Sequence, residues 1–395
     1  MNKYRFTIVT LLLVLFNIKS AYAVNPQIDL GYNYLKDINN VLNEKLNITE
    51  SSTSLDINNI INKSNQYFGK ENEWILIYDI TKSNKKENKF VGLLQEKWGM
   101  PVTGIFDNDF FERLKKEQEL KGLNINGVLD PITWYALYEM PVAWKLKTVN
   151  QSIINWQNII NKNKDNKSNM MVVVNIPSMK LVLWEKKLKN NNEFEYSKIL
   201  ESPVVVGKPK TQTPIEDFEI WGLKYNPNWT PTHNILRRNI VKKSGIDKKW
   251  IDSHNLKIFN ANGESIDSEE FVANIESGDD FSSYRFTQPS GDGNALGVLK
   301  FETTSKQNIY LHDTNERILF THNTRLYSSG CIRVKNFMEL AAAISGENVE
   351  YVQNSINKRK MYTDNFNVNI PVYIDYSQAE FLPNGIRFYP NIYSK

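Results

Sequence analysis

Near Met170 the apolar residues of this chain change their period, which divides it into a helical half and a β half. From Lys89 to Met140 they recur at helical spacing. Phe90, Val91, Leu93, Leu94 and Trp98 form one amphipathic face that runs into Gly99. Phe110, Phe111, Leu114 and Leu120 form a second, with Glu112, Arg113, Lys115 and Lys116 largely on the other side, and Gly122 as its stop. Asp130-Pro131 supplies an N-cap and a first-turn proline for a third helix carrying Trp134, Leu137 and Tyr138. Val102-Thr103-Gly104-Ile105-Phe106-Asp107 and Ile125-Asn126-Gly127-Val128-Leu129-Asp130 are near-copies, each leading into a helix.

From Met170 onward the runs are short. Met170 to Ile176 is apolar and ends at Pro177, Met179 to Trp184 alternates, and Lys189 to Asn192 is a polar turn. Val204 to Gly207, Lys300 to Thr303, Asn308 to Leu311 and Val372 to Tyr376 also read as strands. The polar stretch Thr230 to Gly291 is too long for a structureless loop and is expected to be an inserted subdomain or lid, with a helix over Asn234 to Lys243. Asn336 and Glu339 predict a capping box opening a helix that stops at Ser345-Gly346. The expected class is α+β and multidomain. Its parts are 1–23, an Asn-rich and weakly helical scaffold over 24–88, a three-helix module over 89–141, a helical linker over 142–168 and a mainly β unit over 169–395 with an insertion at about 230–291.

The first segment has the parts of an export signal: Lys3 and Arg5, an apolar run from Phe6 to Phe16, and Ala21-Tyr22-Ala23 as a cleavage site. Eleven residues fall short of the roughly 20 that span a bilayer as a helix. Cleavage is therefore expected, with no membrane span afterwards. The formal charge of +4 includes Lys3, Arg5 and Lys19, so about +1 remains after cleavage. Charges of both signs are interspersed, and that excludes a nucleic-acid footprint.

An exported chain with one cysteine cannot form an intramolecular disulfide, so Cys331 pairs with another molecule, sits inert, or does chemistry. Ser328, Ser329, Gly330 and Arg333 around it argue against apolar burial. His312, 19 residues upstream, is the natural base, since its ordinary pKa is near neutrality. Alternation puts Tyr310 and His312 on one strand face. Gly330 removes a side chain where the backbone approaches closely, and main-chain N–H groups around Cys331 can then serve as an oxyanion hole. Arg333 can lower the thiol pKa, hold a substrate carboxylate or make a structural salt bridge.

These residues carry a resemblance. His312-Asp313-Thr314 followed by Ser328-Ser329-Gly330-Cys331-Ile332-Arg333-Val334 resembles the signature of the L,D-transpeptidases with a YkuD-type catalytic domain. Ile176-Pro177, Val206-Gly207, Thr211-Gln212-Thr213-Pro214, Asn226-Pro227-x-Trp229-x-Pro231, Asn294-Ala295-Leu296-Gly297-x-x-Lys300-Phe301 and Tyr389-Pro390-Asn391-Ile392-Tyr393 are similar to its large periplasmic, YcbB-like branch. The module ending Gly127-Val128-Leu129-Asp130-Pro131-x-Thr133-Trp134 resembles a peptidoglycan-binding three-helix domain. The resemblance implies a cysteine thioester formed on a tetrapeptide stem with release of D-Ala, resolved by an amine of a second stem to give a 3→3 cross-link. Cys331 is then nucleophile, His312 proton donor and acceptor, and Gly330 part of the oxyanion region. Arg333, Tyr310, Trp229 and Ser329 are candidate substrate contacts, although core packing explains Trp229 and Tyr310 equally well. The resemblance also implies acylation by carbapenems. In the YcbB-like branch an Asp stands after the His, as Asp313 does here, and a main-chain carbonyl often orients the imidazole.

No cofactor or metal is expected. His233, His254 and His322 lack any short ligand spacing with Cys331, and exposure is the default for all three. A papain-like protease would carry its cysteine on a helix near the mature N-terminus, before the histidine. The remaining alternatives are an L,D-carboxypeptidase, D-amino-acid exchange at the same site, or a non-catalytic wall-binding protein. The expected setting is the periplasm of a Gram-negative-type bacterium, where the protein acts as a monomer on stem peptides as donor and acceptor.

Overall fold

The computed structural model describes residues 26–45, 60, 80, 86–138, 142–189, 194–382 and 385–393. The expected export segment lies outside them, as does most of 46–85. Two compact units make up the chain: Met1–Ser178 with Val182–Ile199 and Asp375–Ile392, and Met179–Leu181 with Leu200–Ile374 and Tyr393–Lys395. Among the described residues no helix is long and apolar enough to cross a membrane.

The first unit opens with helices α1 (Pro26–Lys45), α2 (Lys89–Lys97), α3 (Asn108–Leu120), α4 (Pro131–Leu137) and α5 (Val142–Asn163), followed by strands β1 (Met170–Asn175) and β2 (Lys180–Leu188). The sequence repeat has a physical basis. Asp107 and Asp130 end the two copies, and each carboxylate accepts an N–H of the helix it starts, from Phe110 at 2.9 Å and Thr133 at 2.7 Å. Each turn is braced by a buried glutamine nine residues before its glycine. Gln95 accepts from the N–H of Gly104 and donates to Ile105 O, and Gln118 accepts from the N–H of Gly127 and donates to Val128 O. Leu94, Phe110, Leu114, Leu129 and Trp134 form the core between these helices.

The second unit takes up the chain at Leu200, within β3 (Phe194–Gly207), and β4 (Asp217–Tyr225) then precedes the inserted segment. The insertion contains α6 (His233–Ile240), β5 (Val241–Lys242), β6 (Gly245–Ile246), α7 (Lys248–Ser253), β7 (Lys257–Phe259), β8 (Ser265–Ile266), α8 (Ser268–Glu276) and β9 (Arg285–Thr287). It has its own core, from Leu236, Ile240, Ile251, Ile258, Phe271 and Phe286 among others. Reciprocal backbone hydrogen bonds between Trp229 and Gln288 close its stem. The chain continues through β10 (Leu299–Thr303), β11 (Leu311–His312), β12 (Leu326–Ser328), β13 (Ile332–Val334), α9 (Phe337–Ser345), α10 (Val349–Asn357) and β14 (Tyr362–Asp375). Seven strands lie in the order β12-β3-β13-β11-β10-β4-β14. The β12–β3 and β11–β13 pairs are parallel, and β3–β13, β10–β11, β10–β4 and β14–β4 are antiparallel. The C-terminal hairpin β15 (Ala379–Leu382) with β16 (Gly385–Phe388) belongs to the first unit.

The contacts do not divide at the expected boundary before 169. Ala379 and Phe381 pack with Leu35, Leu146, Val149 and Ile153, so part of the presumed β unit shares a core with α1 and α5. Strand formation over Asn308 to Leu311 is also corrected. Only Leu311–His312 pairs, because Asn308 adopts a φ of +56° and Ser305 Oγ ties the N–H groups of Gln307 and Ile309 into a turn. The helix expected to Lys243 stops at Ile240, where Val241–Lys242 turns to pair with Gly245–Ile246. The Asn336 capping box does not form: its N–H donates to Ser202 Oγ and its side-chain amide to Glu201 O.

Candidate active site

Strand register assembles the site. Paired residues on neighbouring strands point to the same face of a sheet. Lys300 pairs with His312, and His312 with Arg333, so these three form a row across β10, β11 and β13. Phe301, Leu311 and Ile332 form the adjacent row on the opposite face and are fully buried. The N–H of Ile332 donates to Tyr310 O at 2.9 Å, which brings the residue before it, Cys331, beside Tyr310. The N–H of Tyr310 and the charges of Lys300 and Arg333 all favour the thiolate of Cys331, consistent with one shared face.

His312 is buried, and its Nδ1 is hydrogen-bonded to the carbonyl of Asp313. A carbonyl only accepts, so Nδ1 carries the proton and Nε2 is left as an acceptor. Burial, then the Arg333 charge, lowers the imidazole pKa to about 3; Lys300 adds to this, while the Asp313 carbonyl opposes it. The imidazole is therefore neutral at physiological pH. Cys331 is half-buried, with Sγ 3.8 Å from Asn308 O. Burial pushes its thiol above the ordinary value, against the pull of Tyr310 N–H, Lys300 and Arg333. A protonated thiol thus stands on the same face as a neutral base.

The loop carrying the thiol is closed by Ser328, whose Oγ accepts from Gly330 N–H at 3.1 Å and donates to Cys331 O at 2.6 Å. The N–H groups of Ser329 and Cys331 have no acceptor among the described residues. The reason given for Gly330 is corrected. A Cβ there would meet Ile309 at 3.6 Å and Gln212 O at 3.8 Å, which is ordinary contact, whereas its φ of +127° is strained for any side-chain-bearing residue. Backbone conformation, not crowding, requires the glycine.

Arg333 is ion-paired with Glu316 while acting electrostatically on both His312 and Cys331. Tyr310 is half-buried, and the Lys300 ammonium lies 3.6 Å from its ring centroid. Ser329 is exposed. Trp229 sits at the stem of the insertion, and no hydrogen bond or ring contact among the described residues ties it to Cys331 or His312. His233 is exposed, but His254 stacks on Trp250 at 4.0 Å, and His322 hydrogen-bonds Tyr327 OH at 2.8 Å; both are half-buried rather than free surface groups. Among the described residues no cluster of three His, Cys, Asp or Glu is placed to hold a metal.

Sequence reasoning missed several residues that shape this face. Glu302 is buried between Lys300 and Lys224, each at 2.9 Å, which holds the Lys300 ammonium in place over Tyr310. The Asp313 carboxylate does not orient the imidazole. It accepts from Val298 N–H at 3.1 Å and pairs with Arg317 at 2.9 Å, so this residue serves His312 through its main chain. Arg325 is buried and donates to the carbonyls of Met179, Val204, His322 and Asn323, fixing the start of β12. Lys300 stood within a motif visible in the sequence; Arg325 had no such signal.

Residues 169–374 match the YkuD family model, described as the L,D-transpeptidase catalytic domain. The chain belongs to the YkuD family. A Haemophilus influenzae protein that carries the provisional name L,D-transpeptidase is 32% identical over 225 residues, covering 56% of this chain and 44% of that one. The chain thus spans under half the length of that relative. Among solved structures, L,D-transpeptidase 1 of Mycobacterium tuberculosis is 12% identical, with a TM-score of 0.21 over 52% of this chain and 60% of that one. An L,D-transpeptidase from Mycobacterium smegmatis is also 12% identical, with a TM-score of 0.25 over 52% and 58%. Within this YkuD domain His312 lies on β11, and Gly330 and Cys331 lie in the loop between β12 and β13.

Proposed function

We propose that the protein is a peptidoglycan L,D-transpeptidase of the YcbB-like branch that forms 3→3 cross-links through a thioester on Cys331. The observation that carries this reading is the neutral imidazole of His312, its Nδ1 committed to the Asp313 carbonyl, on the same sheet face as an unpaired, partly accessible thiol. Sγ of Cys331 attacks the carbonyl carbon between the third stem residue and the terminal D-Ala, and its proton passes to His312 Nε2. The oxyanion accepts from the Cys331 N–H. The C–N bond then breaks, the amine of D-Ala leaves with the proton from His312, and a thioester remains. An amine of a second stem attacks that thioester, gives its proton to His312 and forms the new amide. The thiolate that departs is reprotonated by His312. Arg333 and Tyr310 border this face, and a substrate carboxylate would compete with Glu316 for the guanidinium.

The remaining parts fit this reading. A leader ending at Ala23 would export the chain to the periplasm of a Gram-negative-type cell. The three helices of 89–141 would act as a peptidoglycan-binding module, the insertion as a cap, and the mature protein as a monomer. The test is incubation of the mature protein with disaccharide-tetrapeptides, read by mass spectrometry. Loss of D-Ala with a tetrapeptide–tripeptide dimer is expected, whereas D-Ala loss alone would indicate a carboxypeptidase. Activity retained by Cys331→Ala would refute the mechanism.

A further inference from the structure

We propose that Thr213, held by Tyr393, is a positioning residue that sets the oxyanion-binding N–H of Cys331. The inference rests on the acyl-enzyme reading above. Thr213 is fully buried, and its Oγ1 donates to Gly330 O at 2.8 Å. The same Oγ1 accepts from Gly207 N–H at 2.9 Å. Because a backbone N–H can only donate and a carbonyl only accept, the direction of this relay is fixed, and the hydroxyl proton is committed to Gly330 O. A second relay braces the first: Thr213 N–H donates to Tyr393 OH at 3.1 Å, and that hydroxyl donates to Gly207 O at 2.8 Å.

The consequence follows from peptide geometry. The Gly330–Cys331 bond is trans and planar, so its N–H points opposite to its C=O. Fixing Gly330 O against Thr213 therefore turns the Cys331 N–H away from Thr213. The carbonyl on the other side of Cys331 is held by Ser328 Oγ, so both peptides flanking the thiol are anchored while this one N–H is left without an acceptor among the described residues. A donor held in place before reaction costs no reorganisation when charge develops. The segment that supplies Thr213 also grips the loop at Ser328 O, through Lys208 N–H at 3.1 Å and Thr211 Oγ1 at 2.9 Å. Gly207 permits this: a Cβ there would lie 2.1 Å from Thr211 O and 2.6 Å from Thr213 N.

Two reactions at one sulfur separate positioning from general damage. Alkylation by iodoacetamide consumes the thiolate without forming an oxyanion, whereas acylation by a carbapenem passes through one. Thr213→Val keeps the shape and removes the hydroxyl. We expect its alkylation rate to stay within about twofold of the wild type while acylation falls roughly 10- to 100-fold, below the full loss of one oxyanion donor. Thr213→Ser should restore acylation to within a few-fold. Tyr393→Phe, one step removed, should show the same selective pattern with a smaller loss, and it serves as the test if Thr213→Val does not fold. Equal loss of both reactions, or a Thr213→Val protein acylated at the wild-type rate, overturns the positioning role. A wild-type protein that no carbapenem acylates and that releases no D-Ala removes the acyl-enzyme reading and this inference with it.

Discussion

The depressed basicity of His312 makes acylation insensitive to acid over a range in which an ordinary histidine would switch off. With a pKa of about 3, the imidazole is ~99% neutral at pH 5. An unperturbed histidine of pKa ~6.5 would be only ~3% neutral there, a difference of about 30-fold, or about 2 kcal/mol. The thiol stays protonated across this range because burial raises its pKa. The reactive pair is then neutral thiol with neutral imidazole, and its population is constant from pH 5 to 8. The assay is single-turnover acylation by a carbapenem, followed by stopped-flow absorbance at constant ionic strength. We expect the rate constant at pH 5 to lie within about threefold of that at pH 8. A 30-fold fall with a midpoint near 6.5 would refute the argument. It would mean that the Arg333 and Lys300 charges and the burial of the ring do not set its protonation.

Three further outcomes follow from other groups. Arg333→Gln removes a charge that lowers both the His312 and Cys331 pKa values, so the pH profile of iodoacetamide alkylation should move to higher pH; an unmoved profile would sink the assigned electrostatic role. Buried Asp375 has its pKa raised from 3.8 to about 6 by desolvation. Because the folded value lies above the unfolded one, its stabilising contribution is complete below pH 4 and is lost as pH rises through 6. Asp375→Asn should therefore gain on the wild type by about 2 kcal/mol between pH 4 and 8 in denaturant unfolding, and a pH-independent difference would contradict this. Arg325→Met removes the guanidinium from the carbonyls of Val204, His322 and Asn323 and leaves Met179 O only its Val204 N–H, and should lower stability by on the order of 3 kcal/mol, read in the same experiment; a loss under 1 kcal/mol would show that water replaces the guanidinium.

Local chemistry made much of the architecture legible. Asp130 could be recognised as a helix N-cap because a cap is a contact between residues three apart, and the near-copy ending at Asp107 caps the preceding helix in the same way. Thr230 to Gly291 stood apart in the sequence because its polar composition breaks a run of strands; in the structure Leu236, Ile258 and Phe271 of this stretch pack in one core. Cys331 and His312 stood out because a lone thiol and a histidine 19 residues away are rare residue types in a telling order. Where reading failed, the deciding partner was remote at Asn336 and local at Asn308, whose neighbour Ser305 ties Gln307 and Ile309 into a turn. Asn336 found Ser202 and Glu201 instead of its own helix, and Asn308 turned out of the strand that its neighbours suggested.

By itself the sequence determined which atoms are available for chemistry and where the chain changes from helix to strand, since both depend on residue identity and short-range period. Only the tertiary structure decided their protonation and aim. Lys300, His312 and Arg333 become neighbours through the register of three strands. The direction of the Cys331 N–H is set by a threonine 118 positions earlier in the chain. Electric fields and hydrogen-bond directions act through space, and distance in space is what a linear sequence does not carry.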